Sequence, residues 1–260
     1  MELRSLGYKS QLIFTDFDGK AEDRGDHWAI HTLSNPNFFW GNLLIFDRPP
    51  KVGDFVSWTD QFKKEFTNPN IYHVTLAWDS STGEVGDVSE FLENGFRFES
   101  TVVLSASKVA RPPKYNENVK VRKLKTDHDW KRMIEIQLAS AHEHLSRAEW
   151  ESFYRRQAER FRQMEESGFG HWYGAFLEEK LVGGLGIFHR NRIGRFQTVS
   201  TDPEYQRQGV CQTLVYQTSQ DILSSGQVDD LVMCADPGLF SIDGGTHRFF
   251  AVKNWCVIGR

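Results

Sequence analysis

Three apolar runs stand almost end to end in the second half of the chain: HWYGAFLEE, LVGGLGIFHR and RIGRFQTVST, spanning residues 171 to 201. Only short polar turns separate them, at Glu178-Glu179-Lys180 and around Asn191. Strands this short, joined by turns this tight, pair with their immediate neighbours, so the pattern predicts an antiparallel meander. The third run enters PEYQRQGVCQTLV (203–215) directly, a polar turn with one glycine followed by an amphipathic helix.

The elements around the meander carry their own punctuation. VKVRKL predicts a strand, and Thr126 with Asp129 resembles a capping box that starts a helix with Trp130, Met133, Ile134, Leu138 and Ala141 on one face. A second helix over about 149–166 places Trp150, Phe153, Tyr154, Ala158 and Phe161 on one stripe, read as core, opposite a charged face. After the glycine turn come the helix GVCQTLVYQTSQDIL, the strand DLVMCADP, a last helix THRFFAVKN and a terminal strand WCVIGR. The order is that of a mixed α/β sheet.

Upstream, Pro112-Pro113 sits in a polar run that predicts a linker at 107–118, dividing the 260 residues into an N-terminal α/β domain (1–106) and a C-terminal domain (119–260). In the first part HWAIHTL, FFWGNLLIF and IYHVTLAW predict strands. WTDQFKKEF predicts a short helix with Trp58, Phe62 and Phe66 on one face, and DVSEFLENG a helix stopped at Asn94-Gly95 before the strand FRFESTVVLSA.

The glycine turn has the parts of an anion cradle. A helix start leaves its first amide N–H groups without intrahelical partners and carries partial positive charge, and a residue without Cβ lets backbone approach a phosphate closely. Gly209 stands there, with Gln206 and Arg207 adding a polar donor and a cation. Taken alone, the turn reads first as an ordinary strand-to-helix connection and second as a phosphate site.

The surrounding order narrows that choice. A meander ending in TVSTDPEYQRQGVCQTLVYQTSQDIL resembles the central motif of the GNAT N-acetyltransferase superfamily, whose turn has the form Gln/Arg-x-x-Gly-x-Gly/Ala. Here it is Gln206-Arg207-Gln208-Gly209-Val210-Cys211, after a Pro203-Glu204-Tyr205 lead-in similar to the family's. The resemblance covers roughly 119–260 and implies the GNAT acyltransferase fold, a mixed-sheet α/β arrangement, with acetyl-CoA as cosubstrate. It implies that backbone groups of Val199 and Thr201 pair with the pantetheine arm and that amides from Arg207 to Cys211 hold the pyrophosphate. An amine, on a small molecule or peptide, then attacks the thioester directly in a ternary complex, with no protein nucleophile and no metal. Cys211 is a small substitution at the second Gly/Ala position, its thiol expected under the helix.

The chain departs from the family where proton transfer is concerned. Alignment places Phe250 at the tyrosine that serves as acid on the family's last helix, with Asn254-Trp255 at a usual Gly-Phe pair and Asp243 at a usual asparagine. The strand RFQTVST lacks a carboxylate. Asp236, past the strand DLVMC, and His247, near the start of the last helix, are the replacement candidates; each is equally a loop or surface residue. The alternative is an acyl-CoA-binding sensor without turnover.

The end of the N-terminal part, VSEFLENGFRFESTVVL, is similar to the helix, Asn-Gly-Phe turn and strand that close a GNAT domain. That part is thus either a degenerate second copy without a cradle or an unrelated α/β cap, and its NPNFFWGN either lines an acceptor site or packs. WCVIGR leaves room for one closing strand, so either the N-terminal part or a homodimer partner completes the sheet. LIFTDFDGK resembles a phosphatase nucleophile motif at Asp16 and Asp18, but no later lysine or paired-aspartate motifs support it. An acidic loop between two strands is expected instead.

A net charge of −4 offers no footprint for nucleic acid or an anionic membrane. Three scattered cysteines make no disulfide framework or metal-ligand spacing, Cys234 reading as a small core residue. Without a leader-like apolar segment, a cytoplasmic protein is expected.

Overall fold

The computed structural model describes residues 1–260 except 33, 37, 141–145, 236–249, 252–254 and 260. The chain divides into two compact units: residues 1–105 with the described residues after 231, and residues 106–231. No helix among the described residues is long and apolar enough to cross a membrane.

The first unit contains α1 (Leu6–Asp18), β1 (Lys20–Asp23), β2 (His27–His31), β3 (Leu43–Phe46), α2 (Asp54–Glu65), β4 (Thr75–Trp78), α3 (Ser89–Glu93) and β5 (Arg97–Ala106). The second contains β6 (Val119–Lys123), α4 (Asp127–Ala139), α5 (Arg147–Glu166), β7 (Gly170–Leu177), β8 (Lys180–Arg190), β9 (Ile193–Thr201) and α6 (Val210–Ser224), with the division falling inside β10 (Asp230–Ala235). Two further strands, β11 (Phe250–Ala251) and β12 (Trp255–Gly259), close the described chain.

The first unit's core is built largely of aromatic rings. The predicted stripe Trp58, Phe62 and Phe66 is buried there with Phe46, Trp78, Phe91 and Phe96, and Trp58 stacks on Phe46 at 3.8 Å between ring centroids. Such flat contacts add to the large apolar area each ring removes from water. FFWGNLLIF is strand only over β3, a 3-10 turn at Phe39–Gly41 preceding it. Inside NPNFFWGN, buried Asn42 donates to the carbonyls of Asn35, Pro36 and Phe38 and accepts from the Thr32 N–H, so it organises its own loop.

LIFTDFDGK differs from expectation. It is the end of α1, whose N-cap Ser5 accepts from the Gly7 N–H and whose buried face carries Tyr8, Ser10, Ile13 and Phe14. A three-residue apolar run does not distinguish strand from helix, and here the helical period of the whole segment decides. Asp16 lies on the exposed side of that helix and not at a strand end, which removes the phosphatase arrangement.

The closing elements also differ. Phe250–Ala251, expected within a last helix, is a strand paired with Leu104 and Ser105 of β5. β12, expected in a second domain running to residue 260, lies between β4 and β5, with Val257 opposite Ala77 on one side and Glu99 on the other. The first unit's strands thus run β1-β2-β3-β4-β12-β5, with β3 and β4 parallel. An apolar C-terminal strand satisfies its backbone by filling a gap between two strands, and residues 97–101 and 75–78 supply that gap.

In the second unit the meander is as predicted, β6-β7-β8-β9 all antiparallel. Successive β8 residues face opposite sides: a Cβ on Gly183 would approach Val210 of α6, while one on Gly184 would lie 2.4 Å from Met133 Sδ of α4. The Gly-Gly pair therefore lets α4 and α6 approach the sheet from its two faces. The α4 capping box is present, and Trp130, Met133 and Ile134 are buried. Only part of the α5 stripe is core: Phe161 packs on Trp172 and Phe188, whereas Trp150 and Tyr154 are half-buried and Phe153 is exposed.

Candidate functional site

The predicted turn is held from three directions. Asp202, buried at the end of β9, takes the Glu204 N–H on its carboxylate at 3.1 Å and pairs with Arg132 of α4, which fixes the 3-10 turn Pro203–Tyr205. Gln208 donates its side-chain amide to the Glu204 carbonyl at 2.9 Å. Asn116 donates from its side chain to the Gln208 carbonyl at 2.9 Å and from its backbone to the Thr213 hydroxyl at 2.8 Å.

The segment expected to be a linker, 107–118, is therefore a strap on α6. Tyr115 accepts from the side-chain amide of Gln217 at 2.5 Å, its ring meets Tyr216 edge-on, and the Arg111 guanidinium stacks over it at 4.0 Å. Nothing in a polar Pro-Pro run announces these contacts.

Gly209 has the left-handed conformation, φ +79°, as N-cap of α6, and Arg207 is left-handed too, at φ +61°. A Cβ there would stand 2.1 Å from the Lys114 carbonyl oxygen, so the strap's backbone also requires its absence.

Above this glycine the backbone has what an anion needs. The Thr213 N–H closes the first helical bond on Gly209, and the N–H groups of Arg207, Gln208, Gly209, Val210, Cys211 and Gln212 have no protein acceptor among the described residues. Consecutive unpaired amides around left-handed residues at a helix start make a concave donor set suited to a pyrophosphate, the dipole of α6 adding to it. Gln206, Arg207 and Gln208 are exposed beside it, while Val210 is buried as the helix's first core residue. Cys211 is exposed as a residue, yet burial around its sulfur pushes the thiol pKa up, an effect the hydrogen bond with the Thr201 side chain offsets in part.

The strand that leads into the turn is broken at its centre. Gly184 of β8 faces Ser200 and Gly186 faces Gln197, so Thr198 and Val199 together oppose the single Leu185. Thr198 has φ +46°, in the left-handed region that a β-branched residue rarely adopts. Such a bulge takes backbone groups out of the ladder, and Val199 lies in it. At the other end of β9 the Asp229 N–H reaches the Arg192 carbonyl at 2.7 Å, and Leu231 packs beneath Gly194.

A meander bulged in its third strand, a turn of free amides and the helix behind it thus occupy one contiguous stretch. Residues 130–233 match the model of the acetyltransferase (GNAT) family. This segment is a GNAT acetyltransferase domain. The likeness of fold extends over both units. A functionally unknown conserved protein from Staphylococcus epidermidis is similar with a TM-score of 0.71 at 13% identity, over 95% of this chain and 96% of that one. A GCN5-related N-acetyltransferase from Kribbella flavida is similar at 0.65 and 13%, over 96% and 93%. A tandem GNAT protein from the clavulanic acid biosynthesis pathway is similar at 0.52 and 9%, over 84% and 74%. No curated protein matches the sequence.

Within the GNAT domain the expected cofactor-side residues Val199, Thr201 and Gln206 to Cys211 are brought together along the bulge and turn. Asp236, Asp243, His247 and Asn254 lie outside the described residues. Phe250 lies in β11 and Trp255 in β12, so the alignment of 250–255 with a helical Tyr-x-x-x-Gly-Phe run does not hold at those positions. Cys234 is half-buried. Sequence reasoning missed Arg132 and Asn116, since each acts on residues some 70 to 92 positions away.

Proposed function

We propose that the protein is an acetyl-CoA-dependent N-acetyltransferase that acetylates a primary amine on a small molecule or peptide. The observation that carries this reading is the run of acceptor-free amides from Arg207 to Gln212 beside the β9 bulge. In it these amides and the Arg207 side chain bind the pyrophosphate, and backbone groups of Val199 and Thr201 lie along the pantetheine arm. The neutral amine gives its lone pair to the thioester carbonyl carbon, the C–S bond breaks, and the thiolate and ammonium exchange a proton. Asp236 and His247 are the groups assigned to that exchange. The half-buried aromatics Trp150 and Tyr154 on α5 are the apolar surface offered to the acceptor.

A second reading, acyl-CoA binding without turnover, is favoured by the strand RFQTVST, which carries no carboxylate before the turn. Calorimetry with acetyl-CoA, together with free-thiol release over a panel of amines, separates the two. Binding with acceptor-dependent thiol release supports the enzyme, binding without release on any amine supports the sensor, and absence of binding removes both.

A further inference from the structure

The first unit carries a cluster of ligand-type side chains that the acetyltransferase reading does not use. Glu22 on β1 and His31 on β2 are diagonal cross-strand neighbours, since Glu22 pairs with Ala29 and His31 with Lys20. Glu65 comes from the last residue of α2. One atom of each of these three side chains lies within 4.8 Å of the others, and His31 Nε2 is 3.1 Å from Glu65 Oε1 and 4.0 Å from Glu22 Oε2. With bonds near 2.0–2.1 Å, a tetrahedral zinc site has ligand atoms about 3.3 Å apart, so one pair already matches and Glu22 needs a small side-chain movement.

Two further observations point to a cation here. A carboxylate at a helix C-terminus faces the negative end of the dipole, yet Glu65 stands there, paired with the Arg24 guanidinium. Arg24 reaches Glu65 at 2.6 Å and Glu22 at 3.2 Å, bridging the two carboxylates from a half-exposed side chain. The Phe66 ring, 4.7 Å from the imidazole, fixes the orientation of His31. His31 and Glu65 also border a cavity of about 120 Å³ lined by Asn42, Thr67 and Asn68, which gives an ion solvent access.

We propose that Glu22, His31 and Glu65 form a divalent-cation site of the zinc type in the first unit, with Arg24 as an internal cation that the metal displaces. One imidazole and two carboxylates suit zinc or cobalt and leave a position for water. The three ligands come from positions 22, 31 and 65, which is why no ligand spacing is visible in the sequence.

The test is calorimetric titration of the full chain with Zn²⁺ in chelator-free buffer, with Co²⁺ absorption as a second readout. Saturation at one ion per chain is expected. His31→Ala should weaken it by more than about tenfold, the least that loss of a direct ligand should cost given what outer partners are worth. Arg24→Gln should tighten it, because the competing cation is gone. A purely structural ion-pair network predicts the opposite pattern, in which Arg24→Gln destabilises the unit and neither protein binds the metal. Absence of saturable binding, unchanged affinity in His31→Ala, or failure of Arg24→Gln to tighten binding would each overturn the proposal.

Discussion

The side-chain amide of Asn116 donates to the carbonyl oxygen of Gln208 at 2.9 Å, so a residue just before β6 holds the turn that follows β9. The bond fixes one peptide plane, and with it the direction of the adjacent Gly209 N–H. A neutral hydrogen bond of this kind contributes about 1 kcal/mol. Asn116→Ala is therefore expected to raise the dissociation constant for acetyl-CoA by roughly fivefold in calorimetry, with circular dichroism unchanged. Unaltered affinity would mean that the strap does not position the cradle.

Gly209 is constrained twice, by a φ of +79° and by the Lys114 carbonyl where its Cβ would be. Even Gly209→Ala must either shift the strap or strain the turn, at a cost on the order of 1–3 kcal/mol. Gly209→Val is accordingly expected to lower the melting temperature of the protein as well as weaken acetyl-CoA binding. Comparing both variants by thermal denaturation and calorimetry checks this. A variant with native stability and weakened binding would show that the ligand, and not the strap, is what the missing Cβ accommodates.

Thr198 sits at φ +46° inside the β9 bulge, a conformation costly for a β-branched residue. Glycine adopts it without that penalty but loses more backbone entropy on folding, by about 0.5–1 kcal/mol. Thr198→Gly should thus leave stability unchanged or raise it by up to about 2 kcal/mol, the difference of the two terms. Chemical denaturation measures it. Marked destabilisation would show that the Thr198 side chain, and not the bulge geometry, holds this part of β9.

Where an element had its own period and its own stops, the sequence was enough. The meander, α6 and the capped start of α4 are legible because alternation, a glycine turn and Thr126 with Asp129 each act locally. The glycine turn was legible for the same reason, since its left-handed N-cap and its run of consecutive backbone amides are local features. What failed to show depends on partners far along the chain. WCVIGR announces a strand, but nothing in it says that the vacancy lies between β4 and β5. The strap reads as a linker because its hold on α6 is made by one asparagine and one tyrosine across about a hundred residues. LIFTDFDGK was misread because its apolar run is shorter than one helical turn's worth of evidence.

Acid stability tests the start of α4. Asp129 is almost fully buried, accepts both guanidinium arms of Arg122 at 2.8 and 3.1 Å and takes the N–H groups of Lys125 and Thr126, the Arg122 bond being the largest influence in lowering its pKa to about 2. Because the folded-state value is depressed, the stabilisation is fully present above the unfolded value near 4 and is lost as pH falls through about 2. The shift corresponds to about 2 kcal/mol at most, and solvent screening of the half-exposed Arg122 reduces it. Asp129→Asn should accordingly be less stable than the parent protein by about 1–2 kcal/mol at neutral pH. The gap should begin to narrow below about pH 4 and vanish near pH 2. Urea denaturation of both proteins at several pH values measures the gap directly. A gap independent of pH between 6 and 2 would mean that the charge of Asp129 contributes nothing, and that the capping hydrogen bonds alone secure the helix.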